Sequence, residues 1–216
     1  MNMTSSPLAA ALLASAAVFT TGCFDSSSPS EIKARQEKAE KKAPEPVSGQ
    51  NAYYKMYGAA KSWAQDLQGF RCEPIRMAAI PEKDGKFPAW KCAFVSEAKR
   101  AMKTYTYSVV AAEGIFKDTF GGPDESYSGP RGQNVPFPIL ALKIDTDAAI
   151  KTATAHKDAL EYARKRPEAP PLTPVLEKTK EVANAHWRIY WGASIATSNF
   201  SILIDASTGE YVKTMH

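Results

Sequence analysis

The stretch Phe200–Thr214, "FSILIDASTGEYVKT", places a polar cluster between two runs of alternating apolar residues. Alternation of this kind predicts two β-strands that each bury one face. Gly209 predicts a tight turn between them, because glycine adopts positive φ without steric cost, and Asp205 can accept bonds from backbone amides in such a turn. No His or Lys lies beside Ser207 or Thr208 to act as a base, and a hydroxyl without a base is a poor nucleophile. The cluster is therefore interpreted as a hairpin turn and not as an active site.

The pattern around this hairpin recurs in the first half of the chain. The run "WRIYWG" from Trp187 matches "WKCAFV" from Trp90, 97 positions earlier, and the run from Phe200 matches the run from Tyr105, 95 positions earlier. Apolar residues at spacings of four and three predict one helix before each set of strands. The first set is Tyr53, Tyr57, Ala60, Ala64 and Leu67, and the second is Ala149, Ala153, His156, Leu160 and Ala163. The sequence therefore predicts an α+β fold of two tandem α-β-β-β units, each a helix packed on an antiparallel sheet.

The N-terminal residues differ in composition from the rest of the chain. Residues 7–19, "PLAAALLASAAVF", are an apolar run that is too short to span a bilayer and is followed by "TTGC". This arrangement resembles a bacterial lipoprotein signal in which Cys23 becomes the lipidated N-terminal residue. The alternatives are a secretory signal in which Cys23 has no role, or a buried N-terminal helix. The polar and then Lys/Glu/Ala-rich sequence after Cys23 predicts a solvated tether.

Two further cysteines, Cys72 and Cys92, form the one remaining pair. In an exported protein a disulfide is the default state of such a pair. A zinc site would need two more ligands, and the nearby sequence contains no His. We therefore predict a disulfide between the first two strands of the first unit. Closing a loop of about twenty residues should stabilise the fold by roughly 3 kcal/mol.

The last third of the chain resembles the PepSY family, which is known from the propeptides of thermolysin-like peptidases and from bacterial cell-envelope proteins. The resemblance rests on the strand that carries Trp187, on the hairpin "IDASTGE" from Ile204 to Glu210, and on "IDTDAAIKTA", which is similar to the helix that opens such modules. The first half of the chain matches in pattern only. The family implies a small cystatin-like unit and binding or inhibition more than catalysis, and it supplies no catalytic residues.

These observations divide the chain into five segments. They are a signal peptide over residues 1–22, the lipidated Cys23 and tether over residues 23–48, a first PepSY-like repeat over residues 49–120, a Gly/Pro-rich linker over residues 121–138, and a second repeat over residues 139–216.

The second repeat contains the candidate partner-binding residues. His186, Arg188 and Tyr190 alternate with Trp187, so they should point away from the helix, toward the sheet face that a partner could reach. The net charge of +4 is spread along the chain without a basic stripe, which argues against nucleic acid as a partner. No cofactor, metal or catalytic-triad motif is found in the sequence.

The predicted function is accordingly that of a lipoprotein anchored in the bacterial cell envelope and facing the periplasm. It would act as a non-catalytic binding module, with the membrane and an envelope protein or peptidase as partners. Two alternatives stay open. One is a structural or assembly lipoprotein of the envelope, and the other is an enzyme with a site between the two repeats, which would require titratable groups that converge.

Overall fold

Antiparallel pairing joins the strands of both halves of the chain into one sheet. The computed structural model describes residues 43–166, 168 and 170–216, so the predicted signal peptide, Cys23 and most of the tether lie outside the described residues. The strand order is β4-β3-β2-β1-β6-β7-β8-β9, and β5 is a short strand that pairs with β1. The strands are β1 (Gln68–Ile75), β2 (Ala89–Ser96), β3 (Ala101–Ser108), β4 (Asp118–Ser126), β5 (Phe137–Pro138), β6 (Leu172–Glu177), β7 (His186–Trp191), β8 (Ser201–Asp205) and β9 (Tyr211–Met215).

Within the described residues, three α-helices pack on one face of this sheet. They are α1 (Gly49–Ala60), α2 (Thr146–Ala155) and α3 (Lys157–Arg164). Oxygen-bearing side chains cap the first two, since Ser48 accepts a bond from the Asn51 amide and Asp145 accepts one from the Thr146 amide. Such caps satisfy backbone donors that the first helical turn leaves unpaired.

The chain therefore has a mixed α and β fold with a large antiparallel sheet, and two separate tandem units are not confirmed. The two halves meet where β1 pairs with β6, with Arg71 opposite Glu177 and Cys72 opposite Leu176. Each half also contributes four long strands where three were predicted. Pairing of β1 with β6 gives the exposed backbone groups of both strands a partner.

Two buried tryptophans occupy the centre of the molecule. The Trp90 ring N–H donates to the Val47 carbonyl over 3.0 Å, and the Trp187 ring N–H donates to the Ile144 carbonyl over 2.8 Å. The two ring centroids are 6.2 Å apart, edge to face. Gly49 must be glycine here, because a Cβ would lie 2.7 Å from the Trp187 ring and 2.9 Å from the Trp90 ring.

The second predicted helix is interrupted at His156. The backbone of His156 is extended, with φ −69° and ψ 142°, and its imidazole stacks on Tyr211 with centroids 3.9 Å apart. The prediction that Leu160 and Ala163 continue the buried face is wrong, since Leu160 is 60% exposed and Ala163 is exposed. The break at His156 changes the direction of the helix, so that α3 packs inward through Ala159 and Tyr162 instead.

The linker prediction over residues 121–138 also needs correction. Part of this range belongs to β4, and Phe137–Pro138 forms β5. The Gly- and Pro-rich sequence is compatible with a strand because β4 lies at the edge of the sheet, where a missing backbone donor is tolerated. Gly121 is also packed closely, since a Cβ there would lie 2.9 Å from the Tyr105 ring.

The disulfide prediction is confirmed. Cys72 in β1 and Cys92 in β2 are directly opposite one another and are joined through their sulfurs. Both residues are fully buried beneath α1. In the described part of the chain, no helix is both long and apolar enough to cross a membrane.

Candidate functional site

The residues singled out from the sequence lie on the sheet face that the helices leave uncovered, but they offer little surface. Trp187 and Ile189 pack in the helix-side core, and the alternating His186, Arg188 and Tyr190 do not. His186 is fully buried and Tyr190 is 3% exposed. Burial raises the pKa of Tyr190 to about 12, so its hydroxyl remains protonated at neutral pH. Of these three residues, a partner on this face would reach only Arg188, whose side chain is 23% exposed.

A network of charged side chains accounts for much of this burial. The Glu177 carboxylate is 3% exposed and lies 2.6 Å from Arg71 Nη1 and 3.7 Å from Arg188 Nη1. Arg71 continues the network to Glu73 at 3.1 Å, and Lys91 pairs with the other Glu73 oxygen at 2.8 Å. These partners lower the pKa of Glu73 against the opposing effect of its burial. The network crosses four strands, β2-β1-β6-β7, so it ties the two halves together.

The polar cluster of the final hairpin has the geometry of a turn. The Asp205 carboxylate accepts bonds from the Ser207 amide at 2.7 Å and the Thr208 amide at 3.0 Å, and Gly209 has φ +78°. The Ser207 hydroxyl donates to the Ala141 carbonyl at 2.6 Å. The Asp205 and Ser207 side chains therefore serve as hydrogen-bond partners of backbone groups.

A wide groove lies at the end of α3, beside the connection between β7 and β8. Its volume is about 840 Å³, and Tyr162 and Trp191 form its aromatic part. Glu168, Pro170, Pro171 and residues of the segment Gly192–Asn199 also line it, and the Gly192 amide donates to the Pro171 carbonyl over 2.8 Å. A second hollow of about 640 Å³ adjoins it across Tyr162 and reaches His216. The two hollows adjoin along Tyr162, and we call this combined surface the α3 groove.

Aromatic stacking fixes the wall between the two hollows. Tyr162 stacks on Phe200 with centroids 4.2 Å apart and an interplanar angle of 14°, and Trp191 meets Phe200 edge-on at 4.9 Å. The Tyr162 hydroxyl donates to the Asn199 side-chain carbonyl over 3.1 Å. The groove therefore has a rigid aromatic centre, since each ring is held by two others or by a hydrogen bond.

Two cationic side chains border this aromatic centre. The Arg166 guanidinium lies 4.1 Å from the Tyr162 ring centroid, and no carboxylate of the described residues forms an ion pair with it. Lys165 is paired with Glu161 at 2.7 Å. A guanidinium stacked on an aromatic ring keeps its N–H groups directed outward, where they can bind a carboxylate in two-point fashion. Among the described residues of the lining, Arg166 thus places a cation without an ion-pair partner beside apolar surface, and the carboxylate of Glu168 also lines the groove.

Sequence reasoning did not find the α3 groove. Its aromatic residues come from three separate elements, and the alternating pattern assigns Trp191 and Phe200 to strands alone. The sequence signal was the cluster Arg164–Arg166 at the end of a helical stretch that also carries Tyr162. Across the described residues, no three His, Cys, Asp or Glu side chains are grouped so that they could hold a metal ion.

Comparison with known proteins gives one structural similarity. No protein-family model and no curated protein matches this chain. The chain is similar to the crystal structure of a candidate lipoprotein from Clostridium difficile 630, with 10% sequence identity and a TM-score of 0.43. The similarity covers 81% of this chain and 95% of the other chain. A similarity of this size carries no argument about function.

Proposed function

We propose that this protein is a bacterial envelope lipoprotein that is anchored by a lipid on Cys23 and faces the periplasm. The apolar run of residues 7–19 and the Gly22–Cys23 step support the anchor. The disulfide between Cys72 and Cys92 fits the same location, because disulfides persist in oxidising compartments.

The two halves of the body are, in this proposal, two PepSY-like copies of one unit that share a sheet. Support comes from the recurrence of the same contact: each central tryptophan donates to the carbonyl of a residue 43 positions earlier, just before a capped helix. The two helix N-termini also bond to each other, since the Gln50 amide donates to Asp145 and the Gly49 amide donates to Thr146.

The body acts as a non-catalytic binding module, and the α3 groove is its contact site. The observation that carries this proposal is the stack of Arg166 on Tyr162 within this groove, whose larger hollow has a volume of about 840 Å³. Burial gives the sheet-face residues His186 and Tyr190 a structural role and removes them as a contact surface.

The chemistry of the groove indicates its occupant. Apolar side chains or proline rings would pack on Pro170 and Pro171, since Phe200 and Arg166 already cover the Tyr162 ring, and an acidic group would bind the Arg166 guanidinium. An extended segment of an envelope protein or peptidase, with an acidic residue next to an apolar one, meets both requirements. Long clefts lined in this way are suited to extended peptides more than to compact ligands.

Selection from a random peptide library against the purified mature chain tests this proposal. Enriched peptides should carry an acidic residue beside an apolar or aromatic one. Arg166→Glu should remove the enrichment, whereas Arg164→Glu, which makes the same charge change on an exposed position outside the groove lining, should retain it. Equal loss of peptide enrichment in both variants would show that binding depends on the overall charge of the protein. That result would contradict a specific site at Arg166.

A further inference from the structure

A pair of exposed aromatic rings marks the connection between β3 and β4. Phe116 is 59% exposed and Phe120 is 45% exposed, and their ring centroids are 4.5 Å apart. The connection, residues 109–117, closes in a two-residue turn, because the Ala112 and Ile115 backbones exchange both hydrogen bonds. Ala111 and Ala112 are exposed at the same tip. We call this segment, together with Phe120, the apolar hairpin. Neighbouring exposed apolar side chains of this kind are typical of a surface that contacts a membrane or another protein.

The apolar hairpin lies beside the point where the chain enters the body. Val47 exchanges two backbone hydrogen bonds of 2.9 Å with Phe87. The next residue, Pro88, accepts a 3.0 Å bond from the Val109 amide, which is the base of the hairpin. Residues 24–42, which precede the described body, can span on the order of 65 Å at most. The end of the tether and the apolar hairpin are therefore on the same side of the body.

The charges of the hairpin exclude an electrostatic clamp. Glu113 at the turn and Lys117 after it have opposite signs, and Asp118 follows. Attraction to an anionic surface needs a cationic excess, which this segment lacks. Any contact made by the hairpin must then come from burial of Phe116, Phe120 and the alanines of the turn.

We propose that the apolar hairpin contacts the lipid bilayer to which the chain is tethered, with Phe116 and Phe120 in the boundary between headgroups and acyl chains. This inference rests on the proposed anchoring at Cys23. A tethered protein sits at high effective concentration above the bilayer, so a small apolar surface is enough to orient it. The contact would hold the body in one orientation and leave the α3 groove available to a partner.

Hydrogen exchange on protein-free vesicles tests the contact. The mature chain, residues 23–216, is coupled through Cys23 to a maleimide lipid in vesicles of phosphatidylcholine and phosphatidylethanolamine, so the anchor is supplied whether or not cells lipidate Cys23. Amide exchange in residues 109–117 should slow by roughly tenfold relative to the uncoupled chain. Exchange in residues 97–100, at the opposite end of β2 and β3, should stay unchanged. Phe116→Ser with Phe120→Ser should remove the slowing, and Leu140→Ser, at a more exposed apolar position elsewhere, should leave it intact.

Each other result contradicts the proposal in a distinct way. Unchanged exchange in the coupled wild-type chain would show that the hairpin does not reach the bilayer. Slowing that appears only when the chains are crowded on the vesicle would identify a second copy as the occupant. Slowing that requires anionic lipid and is abolished at high salt would indicate electrostatic attraction and not apolar burial. Failure of the anchoring proposal would be seen separately, as an unmodified Cys23 in cells.

Discussion

At the scale of single residues, Glu177 determines how the uncovered sheet face can be altered. Its buried carboxylate is the counter-ion of Arg71 and of Arg188, which come from different halves of the chain. Removing one partner of a buried pair leaves the remaining charge with less compensation, although Arg71 keeps its pair with Glu73. Arg188→Glu, which the sequence suggests as a test of binding, would set two carboxylates side by side. That variant would report on folding, and groove variants are the better test of binding.

Glu177→Gln should lower the free energy of unfolding by roughly 2 to 4 kcal/mol, because both arginines lose their shared counter-ion. Urea denaturation measures the loss. Glu161→Gln is the matched control, since its ion pair with Lys165 is exposed and such pairs contribute little. Equal stability of the two variants would mean that the Glu177 network does not hold the two halves together.

His186 should give the protein a pH-dependent stability. Burial lowers the pKa of His186 below its ordinary value of 6.5, against the opposing effects of the Asn184 carbonyl and Glu177. Its Nε2 has no hydrogen-bond partner within the described residues. As the pH falls below about 6.5, His186 binds a proton in the unfolded chain but not in the folded protein. The contribution of neutral His186 to the free energy of unfolding is therefore fully present above this pH and declines below it.

Stability curves of the wild type and of His186→Phe between pH 7.5 and pH 5 check this expectation. The wild type should lose stability over that range, and the variant should show a flatter slope whatever its absolute stability. If the free energy of unfolding declined in parallel in both proteins, the pH dependence would come from groups other than His186. The carboxyl of Asp205 does not contribute in this range of pH. Its burial would raise its pKa, but hydrogen bonds from Asn184 and the turn amides outweigh that effect and lower the pKa from 3.8.

At the scale of elements, the strands that carry Trp90 and Trp187 are the best test of internal repetition. Trp90→Phe and Trp187→Phe each remove one ring N–H that donates to a backbone carbonyl, that of Val47 or that of Ile144. The Val47 carbonyl keeps its bond from the Phe87 amide. Each should cost about 2 kcal/mol, from a lost hydrogen bond and a smaller ring. The costs should be similar and should not add, because the two rings are in contact. Very different or strictly additive losses in urea denaturation would contradict equivalent positions.

The elements also show which parts of the fold the sequence could predict. The sequence could predict the Asp205 hairpin, the tryptophan strands and the disulfide. Each of these depends on local alternation, on turn chemistry or on a single cysteine pair. The break at His156 was not, because a spacing of three and four continues across it and the interruption depends on packing against Tyr211. The pairing of β1 with β6 depends on contacts between residues more than 100 positions apart, which no local pattern contains.

The candidate site was less predictable than the fold. Alternation correctly indicates that His186 and Tyr190 face away from Trp187, but it gives no measure of how far neighbouring side chains cover them. The α3 groove requires Tyr162, Trp191 and Phe200 to meet, and they come from α3, β7 and the segment before β8. Their proximity follows from the sheet order and from the altered direction of α3, neither of which can be read from periodicity.

At the scale of the whole molecule, a single lipid anchor should decide where the protein resides. Cys23→Ala should leave an unlipidated precursor in cells or release the protein from membranes, because the anchor carries most of the membrane affinity. Membrane fractionation, combined with metabolic labelling by a fatty-acid analogue, measures this. Cys92→Ala provides a control, since it also removes one cysteine but should keep the lipid label. Wild-type protein that is soluble in the periplasm, with an unmodified Cys23, would contradict the anchor.

Site-specific photocrosslinking in living cells tests the central claim, that the anchored body binds a partner segment in the α3 groove. A photoreactive phenylalanine analogue at Ala196, an exposed position in the groove lining, should give one defined protein adduct. The same analogue at Ala148, exposed on α2, should give none. Arg166→Glu should abolish the Ala196 adduct, and Arg164→Glu should leave it unchanged. An equal adduct pattern from Ala196 and Ala148, or an Ala196 adduct that survives Arg166→Glu, would contradict the account.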